Sequence, residues 1–262
     1  MRRLFALSLL MLVAAASVAQ TPKAVLKSIV GGDMLKSVEK FEKISDKTHQ
    51  NMAEACNFAE AALLNMPGQA GIDKVRGYEL FVANIDGIYR SEDVAKMFKG
   101  LDVTFQDMVL HIENSSCDYV IAMDDEQLYE RYLELATRGS HPRREELERC
   151  LESRRYRTAV GGRSMDECRR FLSLYAESEY RAEVAAHLAL LRYEEAMSSS
   201  SEVVMEQFIA DYPDYVEVAK VANRLMQHRY DRIFSGDNLE DMKWFVEQYP
   251  DHSDMDAMKQ TM

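Results

Sequence analysis

Residues 245–252 read FVEQYPDH, residues 208–215 read FIADYPDY, and residues 171–178 read FLSLYAES. One pattern recurs at a fixed interval of 37 positions. Phe171, Phe208 and Phe245 open it, and Tyr175, Tyr212 and Tyr249 follow four residues later. A fixed period of roughly 20–50 residues marks a repeat architecture, in which one supersecondary unit is copied along the chain. The same shift aligns Val184 with Val221, Leu188 with Leu225, and Arg192-Tyr193 with Arg229-Tyr230. It also aligns Met205 with Met242 and Ala185 with Ala222. The matches fall mostly on apolar and aromatic residues, which a buried core selects.

Their spacing is helical. Ala182, Ala185, Leu188, Ala189 and Tyr193 advance in steps of three and four, and Ala219, Ala222, Leu225, Met226 and Tyr230 do the same. The spacing predicts a long helix over 179–197 and another over 215–234. A shorter helix, such as 202–212, carries the Phe and ends at the Tyr. Pro213 and Pro250 stop that helix, because proline has no backbone N–H and restricts the residue before it. Ala176 occupies the third corner, which is expected to be looser. Each unit is thus a helical hairpin whose apolar stripe is buried only when hairpins stack. An upstream unit begins at Tyr132, 39 residues before Phe171, within a helical run over 124–136. Residues 137–142 turn the chain, and a helix over 145–160 closes at Gly161-Gly162.

The aromatic near a helix end, the Tyr-Pro-Asp corner and the following helix with a small residue, a Leu and a Tyr resemble tetratricopeptide-type repeats. The nearest likeness is to cell-envelope repeat proteins related to the outer-membrane β-barrel assembly lipoprotein. The chain departs from that pattern in its 37-residue period, in the position of its one tryptophan, Trp244, and in lacking a lipoprotein cysteine. The resemblance implies an all-α fold, an α-α superhelix or TPR-like solenoid of antiparallel hairpins, and protein–protein interaction as the general task. It implies an accessory role in outer-membrane protein assembly as a narrower alternative. The packing residues it assigns are Phe171, Tyr175, Leu188, Tyr193, Phe208, Tyr212, Leu225, Tyr230, Phe245 and Tyr249.

The chain divides into three regions: 1–19, 20–123 and 124–262. The first has Arg2-Arg3, an apolar run over 4–13, and small residues ending Ser17-Val18-Ala19. That is the layout of a Sec-type signal peptide, too short for a membrane helix of about 20 residues. The expected location is therefore periplasmic or secreted. Residues 20–123 show helical patterning without a clean repeat. Met34, Val38, Phe41 and Ile44 share a stripe, and the alanine-rich 52–66 favours helix until Pro67-Gly68. Further helices are expected over 72–89, 91–99 and 103–112. Residues 114–118 (NSSCD) are expected as a loop, and 119–123 as helix rather than strand.

The whole chain carries a formal charge of −12. Loss of Arg2 and Arg3 with the leader leaves 30 basic against 44 acidic side chains, a net of −14. Such a field disfavours nucleic acid. No metalloprotease, phosphate-loop or nucleophile-elbow motif is present, so no enzyme, cofactor or metal site is expected. Four cysteines, Cys56, Cys117, Cys150 and Cys168, stand too far apart for a zinc pair. Cys150 and Cys168 fall on consecutive helices and are either bridged or buried as free thiols.

Charge is uneven. No lysine occurs between Lys99 and Lys220, whereas ten arginines and six acids fill residues 138–170, a net of +4. Arg143, Arg144, Arg154, Arg155 and Arg157 are candidate partner-binding residues, since arginine grips carboxylates and phosphates bidentately. The competing reading is a set of intrahelical ion pairs such as Glu145 with Arg149. An envelope glycan or small ligand is the alternative to a protein partner. Met255, Met258 and Met262 lie on a short last helix that serves either as a cap or as a docking surface.

Overall fold

A computed structural model describes residues 20–262 except 50, 51, 69–71, 140 and 237. The expected signal peptide, 1–19, lies outside the described residues. All regular structure among the described residues is α-helical, in fifteen helices. The chain forms two compact units, one ending at Leu151 and one beginning at Glu152.

The first unit contains α1 (Pro22–Val30), α2 (Met34–Glu42), α3 (Ala53–Leu64), α4 (Lys74–Ala83), α5 (Ile85–Arg90) and α6 (Glu92–Met97). It continues with α7 (Phe105–Met123), α8 (Glu126–Gly139) and the first half of α9 (Arg144–Gly161). Helix α3 lies at its centre, against α1, α2, α4, α5, α6 and α7. Ala55, Ala59, Ala61 and Ala62 are all buried, together with Cys56, Phe58 and Leu63. Small side chains around most of the helix let neighbours approach from several sides, as a fully buried helix requires. Gly77 of α4 marks the tightest approach. A Cβ there would stand 2.4 Å from Asn65 Nδ2, which donates to the Ala61 carbonyl at 3.0 Å.

Residues 114–118, expected as a loop, lie inside α7. Both serines are hydrogen-bonded there. Ser116 Oγ donates to the Ile112 carbonyl at 2.6 Å, and Ser115 Oγ to the Asn65 carbonyl at 2.9 Å. Asn and Ser ordinarily favour turns because their side chains compete for backbone partners. Here the partners belong to the helix and to the α3 terminus. The single helix expected over 72–89 is broken at Asn84, which caps α4 and precedes α5. Tyr129 and Tyr132 of α8 and Leu147 and Leu151 of α9 join the core of this first unit, whereas the sequence pattern alone begins the repeat region at residue 124.

The second unit holds the rest of α9, then α10 (Met165–Leu174), α11 (Arg181–Ser198), α12 (Glu202–Asp211), α13 (Val218–Ser235), α14 (Leu239–Gln248) and α15 (Met255–Thr261). The short helices start at Met165, Glu202 and Leu239, each 37 residues after the last. The long helices from Arg144, Arg181 and Val218 keep the same interval, and the seven-residue α15 from Met255 stands in register as the next of them. Each short helix packs on the long helix that follows it.

Three apolar clusters repeat at the same interval. The first buries Ala159, Cys168, Phe171 and Val184. The second buries Ala196, Met205, Phe208 and Val221. The third buries Ile233, Met242, Phe245 and Met258. Each takes its first residue from the end of one long helix, two from the next short helix and one from the next long helix, so each hairpin closes the apolar stripe of its predecessor. Tyr156, Tyr193 and Tyr230 edge the three clusters in turn, as do Tyr175, Tyr212 and Tyr249. Leu188 and Leu225 pack into the first and second.

The FxxxY spacing follows from how the short helices end. Tyr175, Tyr212 and Tyr249 are C-cap residues with φ of −124°, −131° and −128°. Each donates its N–H to the carbonyl of the Phe four residues before it, at 3.0, 2.9 and 2.9 Å. The last helical hydrogen bond thereby fixes the four-residue interval. The paired rings lie 4.9, 5.2 and 4.8 Å apart. The short helix ends the same way before Ala176 as before Pro213 and Pro250, but the turn beyond it is looser, as expected: the Ser178 N–H reaches the Tyr175 carbonyl at 3.5 Å, against 3.1 Å for Tyr215 on Tyr212 and 3.2 Å for His252 on Tyr249. At the far end, Met255 and Met258 are buried in the third cluster, and Met262 is exposed. Helix α15 covers the last hairpin as a cap.

Candidate binding surface

Three of the five candidate arginines are committed to their own unit. Arg143 Nη1 donates to Asp118 at 2.6 Å, while its Nε and Nη2 grip Glu146 at 2.7 and 3.0 Å. Those bonds to Glu146 and Asp118 raise the Arg143 pKa, and the same Arg143 contact holds the Glu146 carboxyl below its usual range. Arg144 bonds Glu148 at 2.8 Å and Thr137 at 2.9 Å. Arg155 Nη1 donates to Tyr175 Oη at 3.0 Å. Arg154 is half-buried and Arg157 exposed, and both are engaged. Arg149 Nε donates to the Glu145 carbonyl.

The Arg155 contact is a repeat feature. Arg155-Tyr156, Arg192-Tyr193 and Arg229-Tyr230 stand 37 residues apart. Arg229 Nη1 donates to Tyr249 Oη at 2.6 Å, matching Arg155 with Tyr175. Arg192, between them, turns to Glu195 at 2.6 Å and Asp211 at 3.8 Å. Carrying the period one step upstream into α9 reveals this equivalence in the sequence itself, and it assigns Arg155 to the scaffold.

Exposed chemistry gathers elsewhere, around Arg229. Its guanidinium lies 5.6 Å from the Trp244 ring centroid and donates to Glu202 Oε2 at 3.1 Å and to Glu206. Arg232 Nε reaches Glu202 Oε1 at 2.8 Å. Burial works to raise the Glu202 pKa, but its bonds to Arg232 and Arg229 outweigh that and hold it low. Trp244 sits edge-on to Tyr249, with ring centroids 6.2 Å apart, and is 41% exposed. The result is a fixed guanidinium under an indole whose remaining surface faces solvent. A Trp–Tyr–Arg group is the composition that dominates binding energy at protein interfaces. Trp244 was visible in the sequence, and its ion-paired support was not. Its repeat counterparts are Arg170 and Gln207.

The first unit contains a buried polar chain. His141 Nδ1 accepts the Arg143 N–H at 3.1 Å, so Nε2 carries the proton and donates to Tyr132 Oη at 2.9 Å. Tyr132 in turn reaches the Glu113 carbonyl at 3.1 Å and Ser116 Oγ at 2.9 Å. Burial lowers the His141 pKa and raises that of Tyr132. His252 repeats the local motif, accepting the Asp254 N–H through Nδ1 at 3.1 Å. A cavity of about 340 Å³ lies in the same unit, lined by Ile29, Val30, Met66, Val103 and Met108, with Asp107 and His111 among its polar groups.

All four cysteines are free thiols. The bridge considered between Cys150 and Cys168 is not formed. Cys168 is buried in the first repeat cluster with its sulfur donating to the Ala159 carbonyl at 3.3 Å, and Cys150 packs against the core of the first unit. Among the described residues no group of His, Cys, Asp and Glu is arranged to hold a metal ion, and no helix is long and apolar enough to cross a membrane. No family model matches this chain, and no curated protein and no solved structure is significantly similar to it.

Proposed function

We propose that this chain is an exported, non-catalytic helical-repeat scaffold that holds a protein partner in the bacterial cell envelope, with the Trp244 face of α14 as its docking surface. One observation carries the reading. Phe171, Phe208 and Phe245 are identical and buried, while the residues immediately before them are Arg170, Gln207 and Trp244. The hairpins keep what they bury and vary what they expose. That is how a repeat scaffold separates stability from recognition. Burial of each hairpin on its predecessor supports a TPR-like superhelix. The leader-like residues 1–19 support export, and an accessory part in outer-membrane protein assembly rests on the resemblance of the repeats.

The test is capture of partners from the cell envelope with the chain and two variants. Trp244→Ala should weaken capture of a stoichiometric partner at least tenfold, as loss of an interface anchor does. Gln207→Ala, at the equivalent position, should leave it unchanged. Equal capture by both variants would refute the assignment of the surface. A second reading, small-ligand binding, is favoured by the 340 Å³ cavity, whose volume lies within the usual range for such sites. A Met108→Trp substitution should fill that cavity and abolish a thermal shift produced by small amphipathic compounds.

A further inference from the structure

Trp244 stands in an acidic field. Residues three and four positions away on a helix share a face, and three of those four neighbours on α14 are Glu240, Asp241 and Glu247. Lys243, the one cation of α14, is bonded to Glu240 at 3.4 Å. On α13, Arg229 donates from all three of its nitrogens, to Glu202, Glu206 and Tyr249, and Arg232 holds the other oxygen of Glu202. Two arginines thus face two carboxylates, so the group beneath the indole is neutral and the charge beside its open side is negative. The asymmetry extends beyond the helix. Residues 199–262 carry thirteen acidic and six basic side chains, whereas 152–198 carry eight of each. The net charge of the second unit, −7, therefore lies wholly in the part that holds Trp244.

We propose that the surface at Trp244 takes a basic segment of its protein partner, with a lysine or arginine laid on the open side of the indole and neighbouring cations meeting Glu240, Asp241 and Glu247. The inference rests on Trp244 as the docking face and adds the partner's chemistry. An indole ring attracts a cation placed over it. Arg229 already lies 5.6 Å from the ring centroid, and the rest of the ring is open to solvent. The field of the last hairpins steers a basic segment toward the same place. An acidic segment would meet three carboxylates there and a guanidinium already saturated by Glu202, Glu206 and Tyr249.

Trp244 is the one tryptophan of the chain, so its fluorescence reports this surface alone. The experiment titrates the chain with a synthetic peptide of alternating arginine and serine and follows that emission. The emission should change saturably, and the same peptide with glutamate in place of arginine should leave it unchanged. The change should vanish in about 1 M salt, where the screening length falls to about 3 Å. Glu240→Gln, Asp241→Asn and Glu247→Gln combined should weaken binding of the arginine peptide at least about fivefold. Glu177→Gln with Glu179→Gln, exposed acids of an earlier corner, should not. Both variants should keep their helical circular dichroism. No response to the arginine peptide, an equal response to both peptides, or a triple variant that binds like the parent would each overturn the proposal. Partner capture separates this failure from that of the docking reading. If Trp244→Ala weakens capture and the triple variant does not, the docking surface stands and its basic partner falls. If Trp244→Ala captures normally, both fall.

Discussion

Replacing Phe208 by alanine removes the centre of the middle repeat cluster. The ring is fully buried among Met205, Val221 and Ala196, with the rings of Tyr193, Tyr212 and Tyr215 at 6.0, 5.2 and 5.5 Å. Truncating a buried phenylalanine costs about 3–5 kcal/mol, the lost transfer energy plus that of the cavity left behind. Total stabilities are about 5–15 kcal/mol, so the loss is a large share. Gln207→Ala, one residue earlier on the exposed side, should change stability by less than about 0.5 kcal/mol. Urea unfolding followed by circular dichroism measures both. Amide exchange adds location: protection in α11–α13 should fall most, because hairpins of this kind couple chiefly to their neighbours. A loss below about 1 kcal/mol for Phe208→Ala would show that the repeated phenylalanines do not carry the fold.

Trp244→Ala should leave stability within about 1 kcal/mol of the parent while it weakens capture, because much of the indole is already in solvent. Gly77→Ala should destabilise the first unit by about 1–3 kcal/mol, since the added methyl meets Asn65 Nδ2 and the Ala61 carbonyl; thermal unfolding reads this directly. His141 is held neutral by burial, its folded pKa below the ordinary 6.5. Its contribution is therefore complete above pH 6.5 and is lost as pH falls toward the folded value, by up to about 1.4 kcal/mol per pH unit. The difference in stability between the chain and its His141→Asn variant, measured from pH 8 to 5, should shrink as pH falls. A constant difference would show that His141 titrates as it does in the unfolded chain.

The repeats were legible because a core demands the same residue at each copy, and the 37-residue interval is written in phenylalanines and tyrosines. Helix type followed from apolar spacing. Residues 114–118 were illegible because Asn, Ser and Asp favour loops locally, and the groups that overrule them, the Asn65 carbonyl and Tyr132 Oη, are supplied by tertiary structure. The arginine-rich stretch was visible as charge. Which arginines serve the scaffold depends on contacts with Asp118 and Tyr175, which lie on other elements. The same holds for Cys150: sequence adjacency of helices suggested Cys168, whereas Cys150 packs against the core of the first unit and Cys168 is buried in the first repeat cluster. Trp244 was seen as a departure from the repeat pattern, and its ion-paired surroundings give that departure a use.

The interchangeability of the hairpins is tested most directly by deleting one of them in register. Removing residues 202–238 takes out α12, α13 and their following turn, and joins Ser201 to Leu239, the residue equivalent to Glu202. The shortened chain should remain soluble and unfold cooperatively in urea with undiminished helicity per residue, because Ala196 then meets Met242, Phe245 and Met258 as it now meets Met205, Phe208 and Val221. A deletion four residues shorter should not. If the 37-residue deletion unfolds or aggregates like its out-of-register control, the hairpins are not equivalent units.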